Sequence, residues 1–99
     1  MSVIELKFSP EMAYAAIAGR KCCTTRDEIK GRAGDEFEIG GMPFRVLGVL
    51  AMRAGDIARE LHGPEGFDDV ASCSAALQTI YPEVAEGDFL FVHFFARCP

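Results

Sequence analysis

The sequence predicts a single α+β domain, residues 1–99, built on a small, largely closed sheet. Three observations carry that prediction. Short runs of alternating apolar and polar residues flank glycine turns, as in Glu36-Phe37-Glu38-Ile39 before Gly40-Gly41. Other segments carry start and stop signals of helices instead. The chain also closes on a strongly apolar strand pattern, Phe89 to Cys98. At 99 residues and 49% apolar composition, it buries a core without needing disulfide staples.

The elements follow in order. Val3 to Phe8 alternates as a first strand. Ser9-Pro10-Glu11 starts a helix: a capping hydroxyl, a proline in the first turn, and an acid at the positive end of the dipole. Met12, Ala15, Ala16 and Ile17 form its apolar stripe, and Gly19 stops it. A second strand is expected over Lys21 to Arg26, then a charged loop from Asp27 to Ala33 and a Gly34-Asp35 turn. Glu36 to Ile39 pairs through the Gly40-Gly41 hairpin with a long strand from Met42 to Met52. The centre of that strand, Val46-Leu47-Gly48-Val49-Leu50, is apolar on both faces. That pattern suits a strand with one side inward and the other under a helix. Gly48 marks a bend where the sheet closes.

A short helix is expected from Asp56 to Leu61, ended by His62-Gly63-Pro64, and Glu65-Gly66-Phe67 forms a turn. Asp68 or Asp69 then caps a longer helix toward Ile80, with Val70, Cys73, Leu77 and Ile80 at helical spacing. In the last strand Phe89, Phe91, His93 and Phe95 share one face, and Leu90, Val92, Phe94 and Ala96 the other.

Composition excludes several classes. No apolar run approaches the roughly 20 residues of a membrane span. The first residues lack the basic and apolar zones of a secretory signal. The four cysteines show no zinc-like spacing, so reduced thiols in a cytoplasmic protein are expected. The net charge of −5 argues against wrapping a nucleic-acid duplex, because such binding draws on neutralised phosphates. Local basic density does exist at Arg20, Lys21, Arg26, Lys30 and Arg32.

The stretch richest in chemistry is Gly19-Arg20-Lys21-Cys22-Cys23-Thr24-Thr25-Arg26. By strand alternation Lys21, Cys23 and Thr25 point one way, and Cys22, Thr24 and Arg26 the other. An irregularity near Gly19 lets Lys21 swing toward Thr24. A cation beside a hydroxyl activates an oxygen nucleophile once the amine sheds its proton, or else binds a phosphate or carbonyl oxygen. The plainer alternative is a solvated turn leading into an ordinary strand. His93, flanked by aromatics, reads as a hydrogen-bonded core residue, and His62 as a helix-end residue. The phenylalanines of the last strand read as core.

Order of elements and motifs together resemble the ASCH family, a branch of the PUA-like superfamily. The resemblance spans nearly the whole chain. It rests on Leu6-Lys7-Phe8, Gly19-Arg20-Lys21-x-x-Thr24-x-Arg26, Gly34-Asp35, Glu65-Gly66-Phe67, Ile80-Tyr81-Pro82 and Val92-His93-Phe94. The family signature is Gly-x-Lys-x-x-Glu-x-Arg, matched here at its glycine, lysine and arginine. What the resemblance implies is a β-barrel of about five or six mostly antiparallel strands, two or three helices outside it, and a cleft lined by the signature residues. It also implies RNA or nucleotide binding.

Threonine in place of the signature glutamate is similar to a small bacterial branch that hydrolyses N4-acetylcytidine to cytidine and acetate. That branch uses a lysine, a threonine three positions later, and a glutamate on the late helix. Lys21 and Thr24 match the first two, while the glutamate position falls on Ser72. The resemblance therefore implies Lys21 as base, Thr24 as nucleophile, and Arg26 or backbone N–H groups of the following loop at the oxyanion. Asp69, one turn before Ser72, is preferred over Glu65 as the acid, and Arg20, Arg26, Glu65 and Ser72 are expected to contact substrate. No metal or cofactor is implied. The partner expected is a small nucleoside, with a PUA-like RNA reader as the alternative and an enzyme weakened by the loss of its acid as a third reading.

Overall fold

The computed structural model describes residues 2–99. Helix α1 (Pro10–Ile17) leads to strand β1 (Cys23–Arg26), the hairpin β2 (Glu36–Ile39) and β3 (Met42–Arg53), helices α2 (Ala54–Leu61) and α3 (Val70–Ile80), and strand β4 (Phe89–Arg97). The four strands form one antiparallel sheet in the order β1-β4-β3-β2. This is the expected α+β class, an antiparallel half-barrel with helices packed on it. Among the described residues its strands number four, below the five or six of the expectation. No helix among the described residues is long and apolar enough to cross a membrane.

Local chemistry accounts for the element ends. Ser9 caps α1 by accepting from the Met12 amide at 3.3 Å, with Pro10 in the first turn. Gly19, at φ 85°, turns the chain out of the helix. Beyond it the amides of Arg20 and Lys21 both reach back to the Ala15 carbonyl. The β2–β3 hairpin turns through Gly40 and Gly41, both at positive φ.

Two expectations need correction. The first segment is not a strand: only Val3 bridges Glu36, in parallel, with Ile4 donating to the Glu36 carbonyl and Glu36 to that of Ser2. Asp35 captures the Ser2 amide at 3.0 Å, which ties the chain down at that point. Beyond it the chain leaves the sheet edge and delivers Leu6 and Phe8 to the core. The centre of β3 is also not covered on both faces. The register slips between Val46 and Gly48, a bulge that pushes Leu47 outward. Leu47 and Leu50 stand more than half exposed, because α2 and α3 pack further along the sheet.

The apolar residues separate onto the two faces of the sheet. Leu6, Ala16, Phe37, Ile39, Phe44, Val46 and Phe95 form one cluster beneath α1. Phe95 meets Phe37 and Phe44 edge-on, with ring centroids 5.4 and 5.7 Å apart. Cys23, Ile57, Leu90 and Val92 form the other cluster, under α2 and α3. The alternation expected along β4 therefore holds: Leu90 and Val92 face one cluster and Phe95 the other. His93 is fully buried beside them. Its Nε2 accepts from the Lys30 amide at 2.9 Å, and its Nδ1 lies 3.1 Å from the Phe91 carbonyl. That pairing suits a neutral ring protonated on Nδ1. Helix α3 carries a narrower apolar stripe than its spacing suggests, with Cys73 buried, Leu77 half-buried, and Val70 and Ile80 exposed.

Candidate functional site

Strand β1 is an edge strand of the sheet. Side chains from both of its faces border the same opening, since no further strand separates them. A cleft of about 230 Å³ lies there between β1, the start of α1, the 65–67 turn and the last turns of α3. Lys21, Thr24, Thr25, Arg26 and Glu65 form its polar wall, and Phe8, Met12, Phe67, Leu77 and Ile80 its apolar one, with Tyr81 alongside. The volume falls below the roughly 300–1,000 Å³ of ordinary small-molecule pockets and suits one ring with a small substituent. A smaller hollow of about 160 Å³ between α2 and α3 is lined by Gly55, Gln78 and Glu86 and, among the described residues, has no buried ion pair.

The floor of the cleft is a buried polar triad. Lys21 Nζ donates to the Glu65 main-chain carbonyl at 2.7 Å and to Glu65 Oε1 at 3.3 Å. The Thr25 hydroxyl donates to Glu65 Oε2. The two charged side chains are 4% and 5% exposed. A buried pair of this kind survives when its remaining lone pairs and protons are also satisfied. Here both carboxylate oxygens have a donor.

The backbone makes this arrangement possible. Cys22 and Cys23 donate their amides to the Pro64 carbonyl, which brings the 62–67 turn against the start of β1. Gly66 sits at φ 99°, and a Cβ there would come within 3.3 Å of Met12 Sδ and 3.4 Å of Lys21 Cβ. Glycine is thus required twice at this position, by conformation and by space.

The opposite polar wall is built by Arg26. Its Nε and Nη2 both lie 3.3 Å from Thr24 Oγ1, and Nη2 donates to the Lys7 carbonyl at 2.7 Å. The guanidinium also stacks over Phe8, 5.3 Å from the ring centroid. Burial draws the Arg26 pKa below its ordinary value, with Tyr81 and Glu65 opposing. Tyr81 Oη lies 3.5 Å from the Thr25 carbonyl, and burial raises the phenol pKa. Beneath the floor, burial and then the Glu65 charge push the Cys73 thiol up to about 11, and the Cys23 thiol further still. These two thiols are protonated packing groups at neutral pH, not nucleophiles.

The residues singled out from sequence are distributed as follows. Lys21, Thr24, Arg26 and Glu65 all line the cleft. No hydrogen bond joins Lys21 to Thr24; the partner of Lys21 is Glu65. Asp69 is the N-cap of α3, accepting from the Ser72 amide at 2.7 Å, exposed and outside the cleft. Ser72 is likewise exposed in the first turn of α3. Arg20 lies over Tyr14 at 5.8 Å, also away from the cleft. The carboxylate in the cleft is therefore Glu65, delivered by the turn and not by the helix. Thr25, which the motif does not include, lines the cleft as well. Strand parity places it on the face of Lys21, which was the signal available for it.

No protein-family model matches the chain, and neither does any curated protein. Solved structures do. The hypothetical protein PH0355 superposes with a TM-score of 0.76 at 17% identity, over 99% of this chain and 100% of its own. An ASCH domain from Lactobacillus crispatus superposes with a TM-score of 0.75 at 14% identity, over 97% of this chain and 79% of its own. Protein EF3133 from Enterococcus faecalis reaches 0.65 at 14% identity, over 98% of this chain and 75% of its own.

Proposed function

We propose that this chain, whose fold is that of an ASCH domain, binds an N4-acylated cytidine-like nucleoside in the β1 cleft and hydrolyses its exocyclic amide. The observation that carries the reading is the Lys21–Glu65 pair, buried at the floor of a cleft that also presents two threonine hydroxyls and a guanidinium. Amide hydrolysis needs a nucleophile, a group that takes and returns its proton, and donors for the oxyanion. Each has a candidate in this wall.

The chemistry runs through the chain's own residues. A β1 hydroxyl attacks the acyl carbon, and the Lys21–Glu65 pair receives and redistributes its proton. The Arg26 guanidinium faces the carbonyl oxygen as negative charge builds on it; one such donor contributes about 3 kcal/mol to lowering the barrier. The leaving nitrogen is attached to a pyrimidine ring that withdraws electron density, so the amide is an activated one. The apolar wall of Phe8, Phe67 and Leu77 offers the base a dry surface. Resemblance to the bacterial branch assigns the attacking hydroxyl to Thr24. Glu65 supplies the carboxylate that is missing at Ser72.

A net charge of −5 and the small cleft favour a neutral nucleoside over an RNA strand. The direct test is incubation with N4-acetylcytidine, followed by chromatography for cytidine and acetate. Release of both at rates that scale with protein concentration, and that are lost in Glu65→Gln, is the expected result. No release over a day at micromolar protein would overturn the hydrolase reading. Binding that weakens steeply with salt would point to phosphate recognition instead.

A further inference from the structure

We infer that Thr25 is a positioning residue: its hydroxyl anchors one oxygen of the Glu65 carboxylate and leaves the other, beside Lys21, to carry the proton during amide hydrolysis. The inference rests on the amide-hydrolysis reading above and deepens it. Thr25 keeps its own proton throughout and acts through Glu65, while the attacking hydroxyl stays that of Thr24.

Three side chains of one strand face serve this carboxylate. Lys21, Cys23 and Thr25 come at every second residue, so the pleat turns them the same way. Lys21 Nζ lies 3.3 Å from Oε1 and donates at 2.7 Å to the carbonyl of the same residue. Thr25 Oγ1 donates to Oε2. Between them, burial first and the Glu65 charge next keep the Cys23 thiol protonated. Thr25 and Glu65 are both buried, so water has little access to replace a lost hydroxyl. The two carboxylate oxygens are thus unlike. Oε2 is fixed by a neutral donor on the strand, whereas Oε1 has only the longer Lys21 contact among the described residues. A hydrogen bond donated to a carboxylate favours its charged form. Without the Thr25 hydroxyl, Oε2 is a buried acceptor with no donor, and the side chain finds relief by taking a proton or by turning away from Lys21. Either outcome disables the pair.

The step balances with water as the sole co-reactant. Lys21 Nζ gives a proton to Oε1 and takes that of Thr24 as Thr24 Oγ1 bonds to the acyl carbon. The carbon–nitrogen bond then breaks, the departing nitrogen takes a proton from Nζ, and Oε1 returns its own to the amine. Water repeats the cycle on the threonyl ester, its proton passing through the same pair to Thr24 Oγ1 as the carboxylic acid leaves and ionises. The other ionisable groups acting on the carboxylate are Cys23 and Arg26 of β1 and Cys73 of α3. Both thiols stay protonated below pH 8, so loss of activity on the acid side reports the carboxylate.

The test is kcat for N4-acetylcytidine hydrolysis between pH 4 and 8 in the wild type, Thr25→Val and Thr25→Ser. It is read together with the ¹³C signal of the Glu65 carboxyl over the same range, assigned by its absence in Glu65→Gln. In Thr25→Val the acid limb of the profile should move to higher pH, so that the loss at the acid end exceeds the loss at pH 8 by about ten- to a hundredfold. The carboxyl signal should titrate at higher pH in the same variant, and Thr25→Ser, which restores the donor, should follow the wild type in both readouts. Should the valine variant fail to fold, Thr25→Ala is read the same way. A uniform loss at every pH, or a serine variant that behaves like the valine one, would overturn the inference and leave the hydrolase reading intact. A wild type that turns over no N4-acetylcytidine brings down the hydrolase reading instead. The carboxyl titration then still decides whether Thr25 fixes the anion, and an unchanged titration in Thr25→Val overturns that too.

Discussion

Replacing Glu65 with glutamine keeps the side chain's size and removes its charge, which isolates the energetic role of the buried pair. Lys21 and Glu65 are 4% and 5% exposed, so removing the anion leaves a cation inside the protein without its counter-charge. Breaking a buried ion pair in this way costs about 3–5 kcal/mol. Two features of the site hold the cost toward the low end. The Lys21 bond to the carbonyl of residue 65, 2.7 Å long, does not depend on the carboxylate, and the glutamine oxygen can still accept from Thr25. About 3 kcal/mol is therefore expected. In a domain of this size that lowers the melting temperature by roughly 12–24 °C. Urea denaturation of Glu65→Gln, Lys21→Met and the double variant reads the coupling directly, and a term of about 2–3 kcal/mol is expected between neighbours in one network. A loss below about 1 kcal/mol with no coupling would mean that water screens the two charges, and the pair could not then be the locked proton-handling unit described above.

Further outcomes follow from neighbouring residues. Asp69→Ala should cost about 1 kcal/mol in a denaturation curve through loss of the α3 cap, with nucleoside turnover unchanged; a collapse of turnover would place Asp69 in the site after all. Ser72→Glu adds a carboxylate at an exposed position outside the cleft, so kinetic assays should show no gain in rate. Gly66→Ala should destabilise by about 1–2 kcal/mol from the left-handed backbone alone. Its new methyl would also press on Lys21 and Met12, so ligand affinity should fall as well. His93 supplies the pH dependence. Burial, its leading cause, holds the imidazole pKa below the ordinary 6.5, so the unfolded chain binds a proton that the folded one resists. Its contribution is complete above about pH 6.5 and fades as the pH falls toward the folded value. His93→Gln should flatten that slope in melting curves recorded between pH 7 and 5.

Much of the architecture was legible because it rests on local signals. The Ser9-Pro10-Glu11 start, the Gly19 stop and the Gly40-Gly41 hairpin act within a few residues, and the boundaries of α1, β2 and β3 follow them closely. The first segment was misread because alternation alone does not show whether a partner edge is long enough to pair with; here only Val3 finds one. Gly48 signals a bend, but its form, a bulge with Leu47 turned out to solvent, depends on strand register and on where the helices pack. The site divides the same way. Lys21, Thr24 and Arg26 could be named from spacing along one strand. Glu65 comes from 44 residues away, and the choice between it and Asp69 turned on whether the acid sat in the helix or in the turn before it. One-turn spacing favoured Asp69. The capping bond to the Ser72 amide and the approach of the Pro64 carbonyl to Cys22 and Cys23, both tertiary or cap geometry, place Glu65 there instead. Thr25 lies outside the motif spacing, and only strand parity sets it beside Lys21.

On the proposed function, the β1 cleft captures a neutral pyrimidine nucleoside over its buried Lys21–Glu65 floor. Titrating ¹⁵N-labelled protein with N4-acetylcytidine at low and at moderate salt tests this most directly. Amide shifts concentrated at residues 21–26, 65–67 and 80–81 are expected, with an affinity nearly the same at both salt concentrations. Shifts scattered elsewhere, or none at millimolar nucleoside, would contradict it.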